Sequence, residues 1–195
     1  MLDTLQDTEF EPINRSFNDT FKPGGLSLGL VVPLETYATS AVPTMDRHLD
    51  RVRLAEELGF SALWLRDVPF NVPSFGDAGQ IFDPFVYLGM LAANTNRIAL
   101  GVASIVLPLR HPAHVAKAAA SVDVLSGGRL LLGVASGDRP EEYPAMNMEF
   151  DSRAERFRES FEYIRRMADS YPSFSNAHGN PQNMDMLPKP TGSRL

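Results

Sequence analysis

Residues 98–142 constrain this chain more than any other stretch: IALGVASIVLPLRHPAHVAKAAASVDVLSGGRLLLGVASGDRPEE. The segment reads as strand, loop, helix, glycine turn and strand. Both strands are almost wholly apolar, so both of their faces need cover. That is the habit of a parallel sheet rather than a half-solvated antiparallel one. The repeating unit is therefore βα, and chemistry belongs where strands end and loops begin, at 104–110 and 136–142.

The same unit recurs on either side. LSLGLVVPL at 26–34 and SALWLRDV at 61–68 read as the first two strands. Thr44 is placed to cap a helix whose apolar positions Met45, Leu49, Val52, Ala55 and Leu58 recur at helical spacing, with Gly59 as its stop. Asp83-Pro84 is an N-cap followed by proline at the first helical position, opening a helix that runs to about Asn96. Strands are expected at 98–107 and 129–135, with a helix at 112–125 between them that Gly127-Gly128 ends. A last helix, capped by Asp151 or Ser152, carries Phe157, Phe161, Ile164 and Met167 on one face. From Tyr171 the chain turns rich in Pro, Asn and Gly and reads as loop or disordered tail. The expected organisation is a polar arm at 1–25, a partial (β/α)8 barrel of about four parallel βα units at 26–170, and the tail at 171–195. A half barrel leaves two open strand edges, so a fragment, or a chain completed by a partner, is expected.

Composition narrows the function. A chain of 195 residues that is 44% hydrophobic buries one good core, and it is short of the roughly 250 residues of a complete barrel. A net charge of -6 argues against nucleic acid or an anionic membrane as partner. The absence of cysteine excludes disulfides and a thiolate nucleophile, and suits a cytoplasmic setting. No apolar run approaches a membrane span, and the first residues do not read as a signal peptide. The final Ser-Arg-Leu is a weak match to a peroxisomal address. No Walker loop, GxGxxG or Gly-x-Ser-x-Gly elbow occurs.

Three motifs together carry a family resemblance: GFSALWLRD into the second strand, VLPLRHP after the third, and LSGGRLLLGVASG into the fourth. With them, about 26–167 resembles the bacterial luciferase-like monooxygenases, a superfamily of flavin- or deazaflavin-dependent (β/α)8 barrels. The resemblance implies FMN, with the deazaflavin F420 as alternative, at the carboxyl ends of the strands. A non-proline cis peptide often lies beneath the flavin ring in this family, and the matching pair here is Ala103-Ser104. Small side chains there let the backbone approach the ring. At the fourth strand Ser136 and Gly137 match positions that meet the cofactor. Ser136 stands where bacterial luciferase has arginine, and it brings no positive charge to a phosphate. Asp67, also a cofactor-binding candidate, keeps the acidic residue of the second strand end. Val68 replaces the histidine that follows it in many relatives, so Asp67 and His111 are the candidate catalytic residues.

Blander readings stand beside these. Asp67 reads equally as a helix cap or rim salt bridge, and His111-Pro112 as a loop-shaping pair that opens a helix. His111 and His114 lie three apart without a cysteine, and no metal is expected. His48 reads as solvated, Trp64 as core, and the Arg/Glu pattern from 153 to 166 as a solvated helix face with ion pairs. The expected activity is flavin-dependent oxidation of a small organic substrate by a homodimer. The alternative is a non-catalytic luciferase-like protein that binds flavin weakly or not at all and acts by association.

Overall fold

Four parallel strands alternate with helices and pair in the order β1-β2-β3-β4. The computed structural model describes residues 13–35, 39–76 and 79–192, so most of the arm and the Ser-Arg-Leu end lie outside the described residues. The strands are β1 (Gly29–Val31), β2 (Ala62–Leu65), β3 (Ala99–Val106) and β4 (Leu130–Ala135). The helices are α1 (Arg15–Thr20), α2 (His48–Glu57), α3 (Pro84–Asn94), α4 (Pro112–Ser126), α5 (Glu142–Ala145) and α6 (Arg153–Met167). Sequential order with every neighbour parallel is barrel winding, which keeps the helices that connect the strands on one side of the sheet. The structure is a partial (β/α)8 barrel.

The two sheet faces differ accordingly. Leu63, Leu65, Leu100, Val102, Ile105 and Leu130 join Val52, Leu88, Leu91, Val115 and Ala119 of the helices in the main core. The opposite face is built from small residues around one large ring. Ala62, Ala99 and Leu131 form a second cluster with Trp64 and Phe17. A Cβ added at Gly29 would stand 2.3 Å from Trp64 Nε1, and one at Gly101 2.3 Å from Trp64 Cε3. The indole therefore spreads over both flanking strands, and glycine at each makes the space.

Local signals account for most boundaries. The Asp83 carboxylate accepts from the backbone N–H of Phe85 and Val86, with Pro84 at the first turn. Gly127 closes α4 in the left-handed conformation, at φ 71°. Two expectations shift. Helix α2 starts four residues after Thr44, whose hydroxyl instead accepts from Asp46 N–H while Glu35 holds Thr44. Its buried stripe becomes His48, Val52 and Ala55, and Leu58 turns outward. His48 is thus buried rather than solvated. In α6 the buried face is Ser160, Tyr163, Ile164 and Met167, and Phe161 faces out, stacked on Phe157.

The first and last described segments meet near β4 and the end of α4. Asn14 caps α1 and donates to the Leu130 carbonyl at 2.7 Å, and Phe17 reaches the inner cluster. Asp123, buried at the end of α4, accepts from Asn14 and, at 2.7 Å each, from Thr191 N–H and Oγ1. Residues 171–192 carry no helix or strand, yet Phe174 is buried against Tyr163.

Candidate functional site

The carboxyl ends of β2, β3 and β4 converge on one cavity of about 310 Å³. Its wall includes Arg66 and Asp67 after β2, Ala103, Ser104 and Val106 of β3, and Ala135–Arg139 with Glu142 beyond β4. Ile105 pairs with Val134 and Val106 with Ala135, so Ser104, inside β3, and Ser136, just past β4, lie on adjacent parallel strands. The Ala103-Ser104 peptide is cis, and the β3–β4 register shifts between Val102 and Ile105.

Asp67 is buried and fully engaged. Arg110 grips it with two hydrogen bonds, Nε to Oδ2 at 2.9 Å and Nη2 to Oδ1 at 2.7 Å, and Val106 N–H donates to Oδ2 at 3.1 Å. Arg110 Nη2 also reaches Asp83 Oδ2 at 3.0 Å. Burial opposes charge on this guanidinium, but the hydrogen bonds and attraction of Asp67, helped by Asp83, hold its pKa above the ordinary value. The carboxylate thus ties β2 to the β3 tip and to the N-terminus of α3. The side-chain partner of Asp67 is Arg110.

Beyond β4 the chain turns through Gly137 at φ 78°, where a Cβ would stand 2.7 Å from Val106 Cγ1. Tyr143 is buried beside it and donates its hydroxyl to the Ser136 carbonyl. Burial raises the Tyr143 pKa, so the phenol stays protonated as a donor. Arg139 and Glu142 form a buried pair at 3.6 Å, and the Arg139 guanidinium lies 4.8 Å from the Phe75 ring in the loop after β2.

Of the candidate residues, Asp67, Ala103, Ser104, Ser136 and Gly137 line this cavity together. His111 is not among its lining residues. Its Nδ1 accepts from Ala113 N–H at 3.3 Å as the cap of α4, and Nε2 lies 3.1 Å from the His178 carbonyl, to which it donates. Both imidazole nitrogens are engaged, one in capping α4 and one in docking the segment around His178. Among the described residues no group of three or more His, Asp or Glu could hold a metal, and no helix is long and apolar enough to cross a membrane.

Sequence reasoning missed Arg110, Arg139, Glu142 and Tyr143. It also missed Arg129, which lies at the opposite end of the sheet. This buried guanidinium donates to the carbonyls of Ser126, Ile98, Ala92 and Thr95 and to Thr95 Oγ1, at 2.7–3.1 Å. The Ser-Gly-Gly-Arg turn is therefore a stability motif, far along the strands from the cavity.

Comparison with known proteins agrees with this fold. The 4-hydroxyprotoasukamycin monooxygenase of Streptomyces nodosus subsp. asukaensis is 30% identical over 135 residues, covering 69% of this chain and 35% of that one. The F420-dependent hydroxymycolic acid dehydrogenase of Mycobacterium tuberculosis is 29% identical over 152 residues, 76% of this chain and 40% of that one. A monooxygenase structure from Streptomyces bottropensis superposes with a TM-score of 0.70 at 25% identity, covering 85% of this chain and 50% of that one. The chain thus spans half or less of the length of these three relatives. The family model for luciferase-like monooxygenases matches residues 26–194, and the chain belongs to that family.

Proposed function

We propose that this chain carries the ring-facing part of a flavin-type cofactor site in an oxidoreductase acting on a small organic substrate. FMN is the favoured cofactor and F420 the alternative. The observation that carries the reading is the convergence of Ala103-Ser104 and Ser136-Gly137 on one cavity at the carboxyl ends of parallel strands. The wall suits a planar ring. Ala103 presents only a methyl group, Gly137 none, and the Ser104 and Ser136 hydroxyls supply hydrogen-bond capacity at its edge. Bound there, such a cofactor supplies hydride transfer or oxygenation. The chain's own residues position and enclose it. Asp67 fixes the β2 and β3 tips through Arg110 and Val106 N–H, and is proposed as a positioning residue rather than a proton carrier. Tyr143 fixes the Ser136 backbone. A homodimer is part of the same reading.

The non-catalytic alternative draws on one observation. Arg110 and Arg139, two guanidinium groups at this end of the sheet, are held by Asp67 and Glu142, leaving neither to a phosphate. Residues 1–195 alone are accordingly expected to lose FMN on gel filtration, yet to bind the ring weakly. Trp64, the single tryptophan, reports this. Riboflavin and FMN should quench its emission with similar affinity, and Ala103→Leu should abolish the quenching. Absence of saturable quenching by FMN, riboflavin and F420 alike would refute the flavin reading. FMN co-purifying in stoichiometric amount would refute the missing phosphate clamp.

A further inference from the structure

A second, much smaller void lies behind the wall of the main cavity. It has room for about 10 Å³ and is lined by Val32, Pro33, Leu65, Arg66, Gly79, Gln80, Phe82 and Tyr87. Two polar features meet there. Gln80 Oε1 is buried with no hydrogen-bond partner among the described residues. Tyr87, in the first turn of α3, places its hydroxyl 2.7 Å from Nε2 of His48 at the start of α2, and both residues are buried. Arg66 lines this void and the main cavity alike. We propose that the void is an internal water site, held by Gln80, through which the buried His48–Tyr87 pair is coupled to Arg66 at the rim of the main cavity.

Each part has a physical reason. A space of about 10–15 Å³ takes one water when polar groups line it. An amide oxygen buried without a partner is destabilising, and a water restores that bond. The location also fits: helices that follow parallel strands begin at the carboxyl end of the sheet, so both first turns lie at the level of the cavity. The groups facing His48 are Arg51 on its own helix, Glu35 from the loop after β1, and Tyr87 from α3, with Phe82 edge-on to Tyr87. Burial first, and the positive charge of Arg51 next, hold the His48 pKa below its ordinary value. The imidazole is thus neutral at neutral pH, and acid charges it, so that Nε2 can only donate to the Tyr87 oxygen and the Tyr87 proton turns elsewhere. Tyr87 then shifts against the void, and Arg66 follows. This coupling is independent of which cofactor the cavity takes.

The test needs no cofactor. The ring protons of His48 are titrated by NMR, while Trp64, two residues before Arg66 on β2, reports by its emission. The expected result is one emission step whose midpoint coincides with that of His48. The step disappears in His48→Gln, and Tyr87→Phe uncouples the two midpoints. Wild-type protein should also show a cross-peak between a long-lived water and the Gln80 side-chain amide. Emission that ignores the His48 midpoint, or a step that persists in His48→Gln, overturns the coupling. A Gln80 amide with no long-lived water contact overturns the water site. The wild-type measurements decide the matter even if either variant fails to fold.

Discussion

Replacing Arg129 by methionine should be the most costly single change distant from the cavity. The side chain has the right length for methionine to fill most of its space, so the loss is chiefly of hydrogen bonds. Five of them go at once: to the carbonyls of Ser126, Ile98, Ala92 and Thr95, and to the Thr95 hydroxyl. The Thr95 hydroxyl still donates to the Leu91 carbonyl at 2.7 Å, and the bond to Ala92 is only partly buried. Three buried carbonyls, those of Ser126, Ile98 and Thr95, therefore lose a donor. At about 1–3 kcal/mol for each unsatisfied group the range is about 3–9 kcal/mol. Water entering beside Ala92 favours its lower part, and we expect about 3–5 kcal/mol, a large share of a typical domain's stability. Arg129→Lys keeps the charge but offers three donors on a flexible stem, so it should recover less than half of the loss. Urea unfolding followed by far-UV circular dichroism measures both. A loss below about 1 kcal/mol for Arg129→Met would show that these carbonyls are satisfied without the guanidinium, and the structural reading of the Ser-Gly-Gly-Arg turn would fail.

Three further outcomes are expected. Gly101→Ala should cost about 1–3 kcal/mol because its Cβ meets the Trp64 ring while Gly29 bounds the ring on the other side; in a Trp64→Ala background the same change should be neutral, and additive costs in a double-mutant cycle would contradict this. Arg110→Met should cost about 3–5 kcal/mol by leaving the buried Asp67 carboxylate with Val106 N–H alone, whereas Asp67→Asn should cost less, since Arg110 is partly exposed and keeps Asp83; equal urea midpoints for the two variants would argue against that asymmetry. Burial, with nearby positive charge, holds both His48 and His178 below the ordinary histidine value. The unfolded chain then binds more protons just below about pH 6.5, so stability should fall as pH drops from there through the folded values, and His48→Gln with His178→Gln should flatten the slope.

The parts legible in the sequence are those that local chemistry dictates. Asp83-Pro84 announces a helix start because a capping carboxylate and a fixed φ act on adjacent residues, and the apolar strands announce a parallel sheet because both faces are covered. Ser136 follows from that, since a polar residue closing an apolar parallel strand lies at the carboxyl end, and Ser104 is the one polar residue inside β3, two places before its last. What stayed hidden depends on contacts far apart in the chain. Asp67 and Arg110 are 43 residues apart, and neither position reveals the other. Helix α1 is six polar-rich residues whose stability comes from Asn14 and Phe17 reaching β4 and the inner cluster. His48 looked solvated because the helical stripe was counted from Met45, and starting it at His48 turns the imidazole inward. Arg129 gave one signal that could have been used: a strand that opens with arginine directly after a Gly-Gly helix stop, next to orphaned helix carbonyls.

Charge is used differently at the two ends of the sheet, and that bears on what the cavity can recognise. At the amino end Arg129 is consumed by neutral carbonyls. At the carboxyl end Arg110 is consumed by Asp67 and Asp83, and Arg139 is paired with Glu142. The buried charges around the cavity are thus largely neutralised by one another, while the Asp138 side chain is 90% exposed at the rim. The inner wall offers instead two serine hydroxyls, an alanine methyl and a glycine backbone. Such a wall discriminates by flatness and by hydrogen bonds at an edge, where an unpaired buried donor costs more than a misplaced surface charge. The planar heteroaromatic ring proposed above would satisfy both demands, whereas a compact anion would meet a cation at the rim only, in Arg66.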